Sequence, residues 1–328
     1  MLGSNDTIKC LGVVVTPVGG IIPPEPDVIL TNISRAPLKP TQRLIILSTY
    51  ALPRVTYEAD VGCTQSGALR RADVLIWKYV KRWLHLDPST TDGLLYSRQK
   101  DGGLGLTKLE RQIPLLQLRR LAGLISSEDA VCSVVTKLTD QAYLNKLFRR
   151  VLGESERISK TVWNPETMDA GLLKSVTWRT QEFDRWARTN KQGRGVLPFR
   201  NDCISNQWLR LPTPLREPEF MLALRMRSNT VLTKTSSSGR TDDGQACRLC
   251  GITTETLGHI VSCCSVLQQN RIKSHNKICL LLAELAASKG WSVERERRLL
   301  SMDGGKGVPD LIFNKKRESL VVDVALCY

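Results

Sequence analysis

The sequence predicts an α+β chain that is mainly α. Gly67–Leu84 repeats apolar residues with the 3.6-residue period of an amphipathic helix. β-Branched runs bounded by Pro and Gly stand near both ends. Residues 140–230 read as helices with loops.

In chain order, Ile8–Pro17 (IKCLGVVVTP) reads as one strand, stopped by Pro17 and then Gly19-Gly20. GGIIPPEPDVIL reads as a turn and a short extended piece. Lys39–Val55 opens a helix at Pro40-Thr41 and runs apolar to Pro53. In Gly67–Leu84 the stripe is Leu69, Ala72, Ile76, Val80 and Trp83, with Arg71, Lys78, Lys81 and Arg82 largely off it. A helix that grips a phosphate backbone needs that layout; a merely solvated basic face has it too. DGGLGL (Asp101–Leu106) lacks a following Gly-Lys-Ser/Thr and a preceding strand, so it reads as a tight turn, not a phosphate loop. Ile113–Ile125 is a further apolar helix carrying Arg119 and Arg120. Val176, Thr180, Phe183 and Ala187 make a helical stripe that assigns Phe183 to the core; Trp163, Trp178, Trp186 and Trp208 fall in the same region. Ser236–Gln245 is polar and Gly/Ser-rich, a connector or domain boundary. Asn270–Trp291 is a helix ending at Gly290, with Arg271, Lys273, His275 and Lys277 early and leucines later.

Composition narrows the function classes. The 328 residues carry a net charge of +15. Residues 1–60 have five basic and five acidic side chains, residues 61–200 have 24 and 14, and residues 201–328 have 18 and 13. An excess concentrated in the middle points to a polyanionic partner, nucleic acid first. No uncharged apolar run reaches the length of a membrane span, and the start lacks the pattern of a secretory signal. Of ten cysteines, Cys10, Cys63, Cys132, Cys203, Cys279 and Cys327 are isolated and read as buried small apolar residues; the other four crowd into Cys247–Cys264.

That crowding suits zinc, which takes four tetrahedral thiolate and imidazole ligands. Cys247 and Cys250 form one knuckle, His259 follows, and either Cys263 or Cys264 can close the site. Reduced core thiols or a redox pair are the competing readings. Near the end, GVPDLIFNKKRESLVVDVAL reads as two strands joined by NKKRE. If they pair antiparallel, Asp310 and Asp323 face each other and can bind Mg²⁺, which would activate water against a phosphodiester. A hairpin with two surface acids fits the same residues.

The ordered motifs KCLGV, RAPLKPTQRL, LPRVTYE, KYVKRWLHL, DGGLGL, CRLC…H…C, RIKSHN and VPDLI…VVDV span essentially the whole chain. Together they resemble the C-terminal part of the reverse transcriptase of site-specific non-LTR retrotransposons, nearest the type-1 elements that insert into arthropod large-subunit ribosomal RNA genes. The resemblance implies the C-terminal edge of a polymerase palm over 1–50, a thumb over 51–125, a helical linker over 126–244, a CCHC-type zinc knuckle over 245–284, and the start of a restriction-like α/β endonuclease over 285–328. It implies Cys247, Cys250, His259 and Cys264 as zinc ligands, Asp310 and Asp323 as catalytic Mg²⁺ carboxylates, and nucleic-acid contacts from Arg71, Lys78, Lys81, Arg82, Arg271, His275 and Asn276. The implied activity is target-primed reverse transcription in the nucleus: nicking target DNA and copying element RNA onto the nick, with dNTPs as the small substrates. A non-catalytic zinc-containing nucleic-acid-binding module is the alternative.

The sequence also departs from the family. No polymerase motif of the Tyr-x-Asp-Asp type occurs; the Arg-His-Asn element reads Ser274-His275-Asn276; Val308 replaces the basic residue before Pro-Asp; and Ala325, not lysine, stands two positions after Asp323. These departures lead us to expect a fragment, incomplete at both ends and inactive alone.

Overall fold

The computed structural model describes residues 7–10, 12–16, 21–22, 24–62, 64–125, 127–152, 178–237, 245–300, 306–316 and 318–325. Cys63, Trp163, Val176, Cys327 and most of the Ser236–Gln245 connector lie outside them. The fold is mixed α+β and mainly helical, as expected, and divides into two units, Met1–Thr230 and Val231–Tyr328.

The first unit opens on a hairpin, not a single strand. β1 (Ile8–Cys10) pairs antiparallel with β2 (Val13–Val15), because Gly12 turns the chain at φ +86°. The expected extended piece at DVIL is instead the start of α1 (Asp27–Arg35): Pro26 sits at its cap, Asp27 complements its N-terminus, and Leu30 and Ile33 are buried. Nor does Pro53 end the next helix. α2 (Pro40–Ile46) passes through a π-turn (Leu47–Ala51) into α3 (Leu52–Val61). Pro53 has no N–H, and its ring would strike the carbonyl four residues back; the wider turn just before it accommodates both problems.

α4 (Ser66–Trp83) buries Leu69, Ala72, Ile76, Val80 and Trp83, the stripe the spacing predicts. It packs against α6 (Leu109–Ile125), and α5 (Asp92–Tyr96) lies between them in sequence. The buried Asp73 of α4 accepts from the Leu109 and Glu110 N–H groups at 2.8 and 2.9 Å, so one helix caps the other. DGGLGL is a tight turn: a Cβ at Gly103 would lie 2.5 Å from the Ser97 carbonyl oxygen. α7 (Ala130–Leu138) and α8 (Gln141–Leu152) pack on α6. α9 (Trp178–Ala187) buries Trp178, Phe183 and Trp186, and α10 (Glu217–Arg227) buries Phe220 and Leu224. The isolated cysteines do not all go inside: Cys10 and Cys203 are exposed and Cys132 is half-buried, while Cys279 is buried.

The second unit holds α11 (Lys234–Ser237), the cysteine-rich segment, and α12 (Gln268–Ser288). Behind α12 stands an antiparallel sheet of β3 (Ser292–Arg295), β6 (Leu311–Lys315) and β7 (Glu318–Val322), in the order β3-β6-β7. β4 (Leu299–Leu300) and β5 (Lys306–Gly307) form a separate pair. α12 packs on β3 and β6, burying Cys279, Leu311 and Ile312, while Leu280, Leu281 and Leu285 of the leucine-rich stretch stay exposed. Among the described residues no helix is long and apolar enough to cross a membrane.

Candidate metal centre and nucleic-acid surfaces

The structure gathers Cys247, Cys250, His259 and Cys264, with ligand atoms all within 4.8 Å of one another. A short turn makes the first half: Cys247 donates its N–H to Thr253 O at 2.7 Å, Gly251 donates back to Cys247 O at 2.8 Å, and the Leu249 N–H reaches the Cys247 sulfur at 3.4 Å. Residues His259–Cys263 form a π-turn, in which Cys264 donates its N–H to the His259 carbonyl five residues back at 2.8 Å. That wider turn goes with Cys264 inside the cluster and Cys263 exposed. His259 Nδ1 lies 2.9 Å from Thr253 Oγ1, and Nε2 faces the Cys250 sulfur at 3.3 Å. A hydroxyl on one ring nitrogen, with the other turned to the Cys250 sulfur, is the arrangement in which an outer-shell group orients a ligating histidine. The Ile252 N–H, foremost, lowers the Cys250 thiol to about 6, toward the thiolate; burial pushes the Cys264 thiol up. The donor set, three sulfurs and one imidazole, fits a soft tetrahedral ion. Buried Glu255 braces the segment, accepting from the Arg248 guanidinium and from the N–H groups of Lys234 and Arg248. Arg248 is the leading cause that holds its carboxyl at about 2.

At the sheet end, Leu311 pairs with Val322, so Asp310 and Asp323 lie opposite each other just past the two strands. The Asp310 N–H reaches Asp323 Oδ1 at 3.3 Å, and the Val324 N–H donates to Asp310 Oδ2 at 2.7 Å. His275 Nε2 lies 3.1 Å from the same Oδ2. The Val324 N–H first, and then His275, hold Asp310 below the usual carboxylate range. The Ser274-His275-Asn276 segment thus meets the Pro309-Asp310 segment directly. Cys279 joins this pair, with His275, Cys279 and Asp310 mutually within 4.8 Å. Sequence reading missed the trio; its one legible trace was the four-residue spacing of His275 and Cys279 on a helix.

The basic residues separate into different environments. Arg71, Lys78 and Arg82 are exposed, and their spacing of seven and four sets them along one line of α4. Lys81 does not join them. It is 4% exposed, donates to the carbonyls of Pro88 and Thr90, and sits 3.2 Å from the centre of the Trp77 ring. The loop after α4 folds back over it, so Lys81 is withdrawn from the basic face. Arg271 is half-buried and donates to the Cys264 carbonyl at 2.8 Å; Asn276 is exposed. A groove of about 1080 Å³ was not foreseen: Arg70, Arg111, Lys146, Arg149, Arg150, Arg185 and Arg188 line it, with Glu110 and Asp184 as its acids. Arg70 is tied to Glu110 at 2.7 Å and Arg185 to buried Glu182 at 3.0 Å. Lys146, Arg149 and Arg150, close together on α8, were the trace of it in the sequence.

No established family model matches the chain. Among characterised proteins, a retrovirus-related Pol polyprotein from a type-1 retrotransposable element R2 of Popillia japonica is 28% identical over 332 residues, covering 100% of this chain and 51% of that protein. A second from the same organism is 30% identical over 301 residues, covering 91% of this chain and 62% of that one. A counterpart from Nasonia vitripennis is 28% identical over 98% of this chain and 29% of its own length. The chain therefore spans only part of the relatives it matches, about half in the first case. With matches that run over essentially the whole chain, the sequence is similar throughout to part of the Pol polyproteins of R2-type non-LTR retrotransposable elements and is supported as a fragment of such a polyprotein.

Proposed function

We propose that this chain is the nucleic-acid-handling and DNA-nicking part of a target-primed reverse transcriptase. The observation that carries the reading is the placement of Asp310 and Asp323 at one end of a helix-backed sheet directly after a Cys₃His cluster. In this reading residues 1–50 are the palm edge, 51–125 the thumb, 126–244 a helical linker, 245–284 the knuckle, and 285–328 the endonuclease. Cys247, Cys250, His259 and Cys264 hold structural zinc. Asp310 and Asp323 hold Mg²⁺, which when bound supplies an activated water and charge neutralisation at a phosphodiester. The Val324 N–H and His275 fix the orientation of Asp310. The exposed line of Arg71, Lys78 and Arg82 and the groove beside α8 bind phosphates of the target DNA, a ribosomal RNA gene, and of the element RNA. A chromosomal target entails work in the nucleus.

A second reading, a zinc module without chemistry, is favoured by one residue: Ala325 supplies no ammonium group two positions after Asp323. One experiment separates them. This chain is joined to the remainder of an R2 Pol polyprotein and assayed for RNA-templated extension from intact and from pre-nicked target DNA. Asp310→Ala and Asp323→Ala are expected to stop extension from intact target while sparing it on pre-nicked target. Equal extension from both by the variants supports the non-catalytic reading.

A further inference from the structure

His275 and Cys279 stand one turn apart on α12, where a spacing of four puts both on one face. Asp310, at the start of β6, is set against them. His275 Nε2 lies 3.1 Å from Asp310 Oδ2, and the Cys279 sulfur lies 3.8 and 3.9 Å from the two ring nitrogens. His275 Nδ1 lies 3.3 Å from Asn276 Oδ1, a hydrogen-bond acceptor. The short Nε2–Oδ2 contact is bridged either by a ring proton on Nε2 or by a metal ion between the two atoms.

The third side chain decides for the metal. Carboxylate, imidazole and thiolate are the donor types that zinc takes. Donors bound at roughly 2.0–2.3 Å in a tetrahedron lie about 3.3–3.8 Å apart, and the observed spacings straddle that range. Cys279 is buried, which shields a bound thiolate, and the Val324 N–H fixes Asp310 from outside the trio, as outer-shell donors do at metal sites. His275 and Asp310 remain partly exposed, so the site has an open side.

We propose that His275, Cys279 and Asp310 form a second metal site, for a thiophilic divalent cation such as Zn²⁺, with three protein ligands and a fourth position open to water or a phosphate oxygen. Binding sends the thiol proton to solvent and engages Asp310, so this ion competes with Mg²⁺ for that carboxylate. The proposal does not rest on the nicking reading, since it is tested without activity.

The test is metal content and spectrum of the full chain, titrated with Co²⁺ and, separately, with Zn²⁺ under reducing conditions and then freed of excess ion. Two ions per chain are expected. Cys279→Ser and Asp310→Asn should each lower the count to one, and Cys279→Ser should remove part of the thiolate-to-cobalt absorption while the knuckle spectrum persists. Asp310→Asn, at a partly exposed position, decides the matter if Cys279→Ser disturbs packing. One ion per chain, unchanged in both variants, overturns the proposal and assigns the contact to a ring proton on Nε2.

Discussion

Lys78 and Lys81 are three residues apart on one helix and live in opposite surroundings. Lys78 is exposed; the Lys81 ammonium is enclosed by two carbonyls and the Trp77 ring, and burial lowers it to about 8. Replacing Arg71, Lys78 and Arg82 together by Ala should flatten the salt dependence of duplex binding by about one unit per lost phosphate contact. Lys81→Ala should leave that slope alone and cost on the order of 1–3 kcal/mol of stability, because two carbonyls lose their donor. Anisotropy titrations at several salt concentrations, with denaturant melts, check both; a slope that falls with Lys81→Ala returns it to the binding face. The cysteines offer a similar contrast. Cys264→Ser should release the knuckle ion and Cys263→Ser should retain it, as elemental analysis would show; the reverse pattern overturns the assignment. Helical position alone made Lys81 look exposed and left Cys263 and Cys264 equivalent. A loop folding back buries Lys81, and a π-turn sets Cys264 rather than Cys263 beside Cys247, Cys250 and His259; neither has a local sequence signature.

Elements were legible where one stretch of chain determines its own shape. The stripe from Leu69 to Trp83 is such a case, and so is the hairpin that sets Asp310 against Asp323. Pro53 misled because its usual effect, ending a helix, was avoided by a π-turn whose residues, LSTYA, look ordinary. Asp73 was invisible for another reason: it caps α6, a partner 36 residues away. Burial pushes the Asp73 carboxyl up to about 7 from 3.8, against the lowering by the Glu110 and Leu109 N–H groups. The folded state then holds a proton that the unfolded state releases. Its stabilising contribution is full below about pH 4 and is lost as pH rises through about 7. Asp73→Asn, which cannot titrate, should therefore gain stability relative to the parent between about pH 5 and about pH 8. Parallel urea midpoints across that range would contradict this.

At the scale of the molecule, the mainly helical α+β class and the excess of basic charge were both readable, because they follow from periodicity and counting. The basic groove was not. Its walls come from residues 66 to 188, and only packing of α4, α6, α8 and α9 brings them together. Charge reversal at Lys146, Arg149 and Arg150 should weaken duplex binding at least as much as neutralising the α4 line; unchanged affinity would show a groove that is only solvated. The unit boundary at Thr230 precedes the polar connector at Ser236, since α11 and the Arg248–Glu255 brace already belong to the second unit.

The central claim is that Asp310 and Asp323 are the carboxylates of DNA cleavage. Its most direct test is Mg²⁺-dependent nicking of supercoiled target plasmid by this chain joined to the rest of an R2 Pol polyprotein. The expected result is nicking that requires Mg²⁺ and disappears with Asp310→Ala and with Asp323→Ala, while duplex affinity holds. Nicking that survives both substitutions would contradict the account and move the cleavage site elsewhere in the protein.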